Sequence, residues 1–302
     1  MIQPRELDIL YALLRYRYLE TSQIHRLFFD GQSLQNMYRI VKKLAQRGLL
    51  ERKNMPRQPG LNLGAMLYLT KKGANLLARE TGKSTQELGY RRIVYPIESP
   101  NFAYHRKRMI DFYIALDESL EEMPLELKYL SMDYEKEVVN GRRVSLNKLE
   151  DSRGQMSVIP DLIAIVQNRV TGSERVYFVE IDTGKETIGG GGRLKTAPLH
   201  SLLDKYLRYE TILKDRSWQR RVPSQVKAFE VLTVTETLKH IRTMQRQIPS
   251  HLRYGRLFRC ATHQQIQQGG LLTQALWYAL AEPYGAQVLF HQQTKVNILK
   301  SK

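Results

Sequence analysis

Three carboxylates, Asp161, Glu180 and Asp182, have the residue types and spacing to do chemistry. Asp161 follows Pro160 inside the apolar run 157–166, and Glu180 and Asp182 close the apolar run 176–182. Both runs read as strands. Side chains alternate faces along a strand, so Glu180 and Asp182 point the same way. Carboxylates on apolar strands are costly unless something positive meets them. A divalent cation, alone or together with a DNA phosphate, is one such partner. Buried salt bridges with Lys or Arg are the other.

The charge of the chain favours the first reading. Its 302 residues hold 47 Lys+Arg against 30 Asp+Glu, a net of +17, with a pI near 9.9. Such a balance favours polyanions, nucleic acid first. Residues 1–96 carry 17 Lys+Arg against 7 Asp+Glu, so much of the excess sits in the N-terminal third. Apolar residues make up 42%, enough for real cores, and the length suits two domains. Cys260 is the only cysteine, which excludes an intrachain disulfide framework and a Cys-based zinc site. The N-terminus lacks a signal-peptide apolar region, and no apolar stretch reaches membrane-spanning length. A cytoplasmic protein without membrane association is expected.

The basic N-terminal segment has a definite order of elements. Residues 4–19 read as a helix with Pro4 in the first turn and Leu7, Leu10, Leu13 and Leu14 inward. Thr21 is the expected cap of a second helix, 22–29, and Ser33 of a third, running to about Arg47 and ended by Gly48. Strands at 50–53 and 65–69 flank a Pro/Gly-rich loop, and Thr70 caps a fourth helix, 71–79. Three helices, a hairpin and a helix is the order of a winged helix-turn-helix. On the third helix Leu34, Met37, Ile40, Val41 and Leu44 share one arc. Gln35, Asn36, Arg39, Lys42, Lys43, Gln46 and Arg47 fill the other, with no acid among them. Gln and Asn read adenine, Arg reads guanine, and Lys suits phosphates. The plain alternative is a solvated amphipathic face, but such faces usually mix both signs of charge. Arg52, Lys53 and Arg57 in the hairpin are placed to touch the DNA backbone as a wing. Residues 1–82 are thus expected to bind double-stranded DNA, with 83–101 a turn-rich linker.

The remaining residues, 102–302, alternate helices and strands. Helices are expected at 103–120, 199–213 and 235–248. Strands are expected at 158–166, 176–182, 229–234 and 257–262, with a strand pair or a strand and turn over 127–139. The tail around Trp277 reads as helix or loop. This is an α+β or α/β arrangement on a small mixed sheet.

The order helix, strand, Pro-Asp strand, Glu-x-Asp strand, helix resembles the core of the PD-(D/E)xK, restriction-endonuclease-like nucleases. That resemblance implies Asp161, Glu180 and Asp182 as ligands of Mg²⁺ or Mn²⁺, whose hardness suits carboxylate oxygens. It also implies a Lys two residues after the Glu, where this chain has Asp182. Lys185 and Lys205 are the alternatives. Lys205 lies beside the apolar stripe Leu199, Leu202, Leu203, Tyr206, one turn from Tyr209. Either Lys205 substitutes, or the site is degraded and only the fold remains. The whole chain also resembles the replication-relaxation family of plasmid and mobile-element proteins. That likeness rests on residues 104–111, the Pro160-Asp161 step, residues 179–186 and residues 205–209. It implies Asp161, Glu180 and Asp182 as metal-binding carboxylates and Lys205 as their basic partner, with His105 and Asp111 weaker contributors.

Other signals carry less. Gly189–Gly192 lacks the Lys-Ser/Thr of a phosphate loop and reads as a flexible segment, with Arg193 and Lys195 as candidate phosphate contacts. No His-hydrophobic-His motif is present, and Cys260 reads as structural. Tyr206 reads as core, Tyr209 as the tyrosine nearest the acids. The expectation is a sequence-specific, double-stranded-DNA-binding protein of a plasmid or phage, acting in replication, relaxation or mobilisation by metal-dependent nicking. The alternative is a non-catalytic winged-helix repressor or replication initiator. A second copy of the chain, as in a homodimer, is the other partner considered.

Overall fold

A computed structural model describes residues 2–61, 63–93, 97, 99–139, 141–184, 186–189, 201–272, 277–281 and 287–288. The chain divides into two compact units, Met1–Tyr113 and Ile114–Lys302. It is a mixed α+β structure.

The first unit runs α1 (Pro4–Tyr16), β1 (Leu19–Glu20), α2 (Thr21–Phe28), α3 (Leu34–Gln46), β2 (Leu50–Lys53), β3 (Met66–Leu69) and α4 (Lys71–Thr81). The expected first helix stops at Tyr16. Arg17 turns to φ 67, and Leu19 and Glu20 leave the helix to pair with Leu67 and Met66 of β3. The cap of α2 is Glu20 rather than Thr21, its carboxylate accepting from Ser22 N at 3.1 Å. Ser33 caps α3, as expected, through a 3.2 Å bond from Gln35 N. Met37, Val41 and Leu44 of α3 are buried against this unit's core, but Leu34 is 52% exposed. The helix therefore presents a leucine and Tyr38 to solvent beside its polar face. Sheet order is β1-β3-β2.

The helix α5 (Pro100–Glu121) spans the boundary between the units. The second unit continues with β4 (Leu125–Met132), β5 (Lys136–Val139), β6 (Arg142–Ser145), β7 (Leu149–Glu150), β8 (Ser157–Val158), β9 (Leu162–Asn168), β10 (Glu174–Asp182) and α6 (Leu202–Asp215). Then come β11 (Phe229–Thr235), α7 (Leu238–Gln247), β12 (Phe258–Thr262), α8 (His263–Gln267), β13 (Trp277–Ala279) and β14 (Gln287–Val288). Seven strands form a mixed sheet ordered β14-β13-β12-β11-β10-β9-β4. The pairs β10/β11 and β11/β12 are parallel, and their neighbours β9 and β13 join antiparallel.

Two expectations change here. The apolar run 157–166 is two strands, because Pro160 has no N–H for a ladder. β8 pairs with β7, while β9 joins the large sheet. The segment around Trp277 is a strand, β13, with Trp277 fully buried and its indole N–H donated to Leu271 O at 3.1 Å. One face of the sheet carries Ile163, Ile165, Val176, Phe178, Phe229 and Val231 against Leu203, Tyr206 and Tyr209 of α6 and Ile241 and Met244 of α7. Phe178 lies 4.3 Å, centroid to centroid, from Phe229 and 5.8 Å from Tyr209.

Candidate functional site

The acidic site forms where this apolar face ends. Strand alternation puts Val176, Phe178, Glu180 and Asp182 on the helix-covered side of β10, so the two acids continue the inward row. Glu180 is 1% and Asp182 2% exposed. Asp161 comes from the bend before β9. That bend is held by Asn147, fully buried, which donates from Nδ2 to Pro160 O at 2.8 Å and accepts from Ser131 Oγ at 2.6 Å. Asp161 Oδ2 accepts from Ile181 N at 2.7 Å, supplying an acceptor beyond the last β9/β10 pair, Leu162 and Val179.

Lys205 comes from the first turns of α6, which Ser201 caps through Asp204 N at 3.2 Å. Its ammonium donates to Glu180 Oε2 at 3.1 Å and to Glu186 Oε1 at 2.6 Å. Tyr209, one turn on and fully buried, donates to Glu180 Oε1 at 2.5 Å. Glu180, Lys205, Tyr209 and Glu186 thus form one connected cluster. Asp161 belongs to it electrostatically: its charge raises Glu180 and holds Lys205 in its ammonium form. Burial pushes Glu180 up to about 7, against the pull of Lys205, with Asp161 and Glu186 adding to the rise. Burial opposes the Lys205 charge, but Glu180, Glu186 and Asp161 outweigh it and hold the lysine above its ordinary range.

Asp182 has other company. Its Oδ1 accepts from Gly184 N at 2.8 Å, and its Oδ2 lies 3.4 Å from the donor Thr235 Oγ1 and 2.8 Å from His240 Nε2. The imidazole approaches within salt-bridge distance yet is not aligned for a hydrogen bond. Parallel pairing explains the neighbour, because Asp182 lies opposite Thr235, the last residue of β11, and α7 starts three residues later.

Glu186 and His240 are the residues that sequence reasoning missed. Glu186 closes the 179–186 segment already singled out, and its charge was the available signal. His240 follows from parallel β10/β11 pairing, which the residue pattern alone does not fix. Lys185, Arg193, Lys195, Leu199 and Gly190–Gly192 lie outside the described residues. Tyr206 is core, its hydroxyl 2.5 Å from Thr233 Oγ1, and Cys260 is fully buried.

The donor set bears on whether a divalent cation fits. Among the described residues no three His, Cys, Asp or Glu side chains gather as ligands. Mg²⁺ needs fewer, since one or two carboxylates suffice and water completes its shell. Asp161 and Glu180 supply two hard carboxyl groups, and burial raises Glu180 against the pull of Lys205.

In the first unit, Gln35, Arg39, Lys42 and Gln46 are exposed on α3, as are Arg52 and Arg57 in the hairpin, while Asn36 and Lys53 are half-buried. Arg39 donates to Asn36 Oδ1 at 2.9 Å, and Asn36 Nδ2 lies 3.4 Å from Gln32 Oε1. Lys43 and Arg47 are drawn elsewhere, to Glu6 of α1 at 2.8 and 3.4 Å. Glu6 is buried, yet these cations hold its carboxyl below the usual range.

A family model described as replication-relaxation matches residues 10–226. The chain belongs to the replication-relaxation family. Membership suggests a role in plasmid replication or relaxation. No curated protein matches the chain. The family match spans α3, the Asn147 brace, Asp161, Glu180, Lys205 and Tyr209, and stops before β11, so His240 lies beyond it. Among the described residues of this replication-relaxation protein, no helix is long and apolar enough to cross a membrane.

Proposed function

We propose that this replication-relaxation protein binds a specific double-stranded DNA site of a plasmid or phage and nicks one strand in the presence of Mg²⁺ or Mn²⁺. The first unit is read as a winged helix-turn-helix. Its α3 offers Gln35, Asn36 and Arg39 to base edges and Lys42 to phosphate, with Arg52 and Arg57 on the wing. The second unit is read as a PD-(D/E)xK-like domain. One observation carries the enzymatic reading: a helix-borne lysine, Lys205, reaches 3.1 Å from Glu180 beside Asp161. A lysine is thereby supplied where the strand itself offers Asp182.

Asp161 and Glu180 are the residues to hold the cation. When bound, it supplies Lewis-acid stabilisation of phosphoryl charge and lowers the pKa of water. Lys205 keeps a fixed positive charge at the same carboxyl and orients groups around the phosphate. Tyr209 fixes the Glu180 rotamer by its hydrogen bond. The Asn147 brace holds the bend that carries Asp161.

One observation favours the second reading, a non-catalytic repressor or replication initiator. Both Glu180 oxygens already have protein partners, as in a carboxylate neutralised from within. The two readings separate on supercoiled plasmid carrying its cognate origin, incubated with Mg²⁺ or Mn²⁺. The wild type should convert it to the open-circular form, and Glu180→Ala should abolish that while leaving DNA binding intact. A wild type that binds the plasmid and never relaxes it establishes the regulator.

A further inference from the structure

α7 has the pattern of α3 in a different place. Its ten residues, Leu-Lys-His-Ile-Arg-Thr-Met-Gln-Arg-Gln, contain three Lys or Arg and no acid. At 100° per residue its side chains fall into three sectors. Ile241 and Met244, joined by Ile248 just past the helix, lie on one side and are buried. Lys239, Arg242 and Arg246 fall within an arc of about 60° on the opposite side, and all three are exposed. His240 and Gln247 lie together on one flank between these sectors.

That flank meets Asp182 at one end of the helix and Gly189 at the other. His240 Nε2 is 2.8 Å from Asp182 Oδ2. Gln247 Oε1 lies 3.6 Å from the point where a side chain on Gly189 would begin, in the segment that carries Glu186. The helix that carries the cationic stripe therefore adjoins Asp182 and the segment that follows Glu186. Glu236, the acid just before the helix, is directed toward His263 at 3.8 Å. The stripe lies opposite the inward residues Ile241 and Met244 that anchor α7, and within it Arg246 lies 3.4 Å from Thr243 Oγ1. It also lies beyond the residues that the family match covers.

We infer that Lys239, Arg242 and Arg246 form a rail for the phosphate backbone of duplex DNA, placed to lay that backbone along the acidic site of the second unit. The occupant follows from charge: three exposed cations on one stripe of a helix whose sequence holds no acid, in a chain of net charge +17. Backbone contacts of this kind carry no base information, so the rail contributes affinity and register to whatever site α3 reads. The inference rests on the duplex-DNA reading of the preceding subsection and adds a contact surface within the second unit.

The test uses the full chain and a mixed-sequence 40-base-pair duplex, with binding followed by fluorescence anisotropy across a salt series. Each lost phosphate contact makes the slope of log affinity against log salt shallower by about 0.9. The triple variant Lys239→Ala/Arg242→Ala/Arg246→Ala should therefore lose about 2 to 3 from the slope, and at least tenfold in affinity at 0.1 M salt. All three side chains are exposed, so far-ultraviolet circular dichroism should match the wild type. A wild type that binds the duplex, with a triple variant of unchanged slope and affinity, overturns the rail alone and leaves the stripe as a solvated face. A wild type that binds no duplex overturns the rail together with the function it rests on.

Discussion

Replacing Lys205 by Met tests the electrostatics at the centre of the site. The substitution keeps the aliphatic stem and removes the ammonium 3.1 Å from Glu180, leaving Tyr209 as the carboxyl's side-chain donor. Burial already raises Glu180 from 4.5 to about 7 in the folded chain. At 1.36 kcal/mol per pKa unit, ionising it in place costs about 3 kcal/mol relative to the unfolded chain. The sign follows from the direction of the shift. A folded pKa above the unfolded one gives stability that is fully present below pH 4.5 and lost as pH rises through 7. Without Lys205 the folded pKa climbs further, with Asp161 and Glu186 adding to it, so the loss continues to higher pH. The penalty of Lys205→Met should be about 1 kcal/mol near pH 5, where Glu180 is protonated in both proteins, and about 3 to 5 kcal/mol at pH 9. Urea denaturation followed by tryptophan emission reads this cleanly, because the two tryptophans, Trp218 and Trp277, are both buried in the second unit. Adding Glu180→Gln to Lys205→Met should recover much of the pH 9 loss, since no charge is then stranded. A penalty equal at pH 5 and pH 9, or a double variant no better than the single one, would refute the coupling.

Tyr209→Phe keeps the ring packing and deletes the donor to Glu180, so the second unit should lose about 1.5 to 3 kcal/mol at pH 9 by the same emission assay, the range for a hydrogen bond to a charged group. Gly73→Ala should destabilise the first unit by at least about 1 to 3 kcal/mol, because a Cβ there would meet Leu49 O at 2.1 Å; hydrogen exchange in α4 would report it. Arg39→Ala should relax base preference in gel-shift assays, whereas Lys42→Ala should weaken binding to all sequences and make the salt slope shallower by about 1. Equal selectivity after Arg39→Ala removes α3 as the base reader. Lys43→Ala should affect stability as well as binding, because it unpairs the buried Glu6 from its 2.8 Å partner.

Much of the fold was legible along the chain because its signals are local. Ser33 and Thr70 announce the starts of α3 and α4 through side-chain oxygens that reach the next turn. The apolar runs ending at Val166 and Asp182 mark central strands, and the alternation along β10 puts Glu180 and Asp182 on one face before any partner is known. What failed locally failed for identifiable reasons. Glu20 displaced Thr21 as a cap because its carboxylate also reaches Gly64 N at 2.9 Å, forty-four residues away. The stretch 157–166 broke in two at a proline that cannot donate to a ladder. Leu34 stayed in solvent although its spacing put it on the apolar arc.

Composition and periodicity determined that this chain has a cationic, amide-rich helix early and carboxylates at the end of an inward-facing row later, since those properties depend on residue type and on the repeat of the backbone. Which charges meet was decided only in three dimensions. Parallel pairing of β10 with β11 puts His240 at Asp182, and the packing of α6 across the sheet delivers Lys205 and Tyr209 to Glu180. Coulombic energy and desolvation depend on distances between segments far apart in the chain, and linear order does not encode those distances.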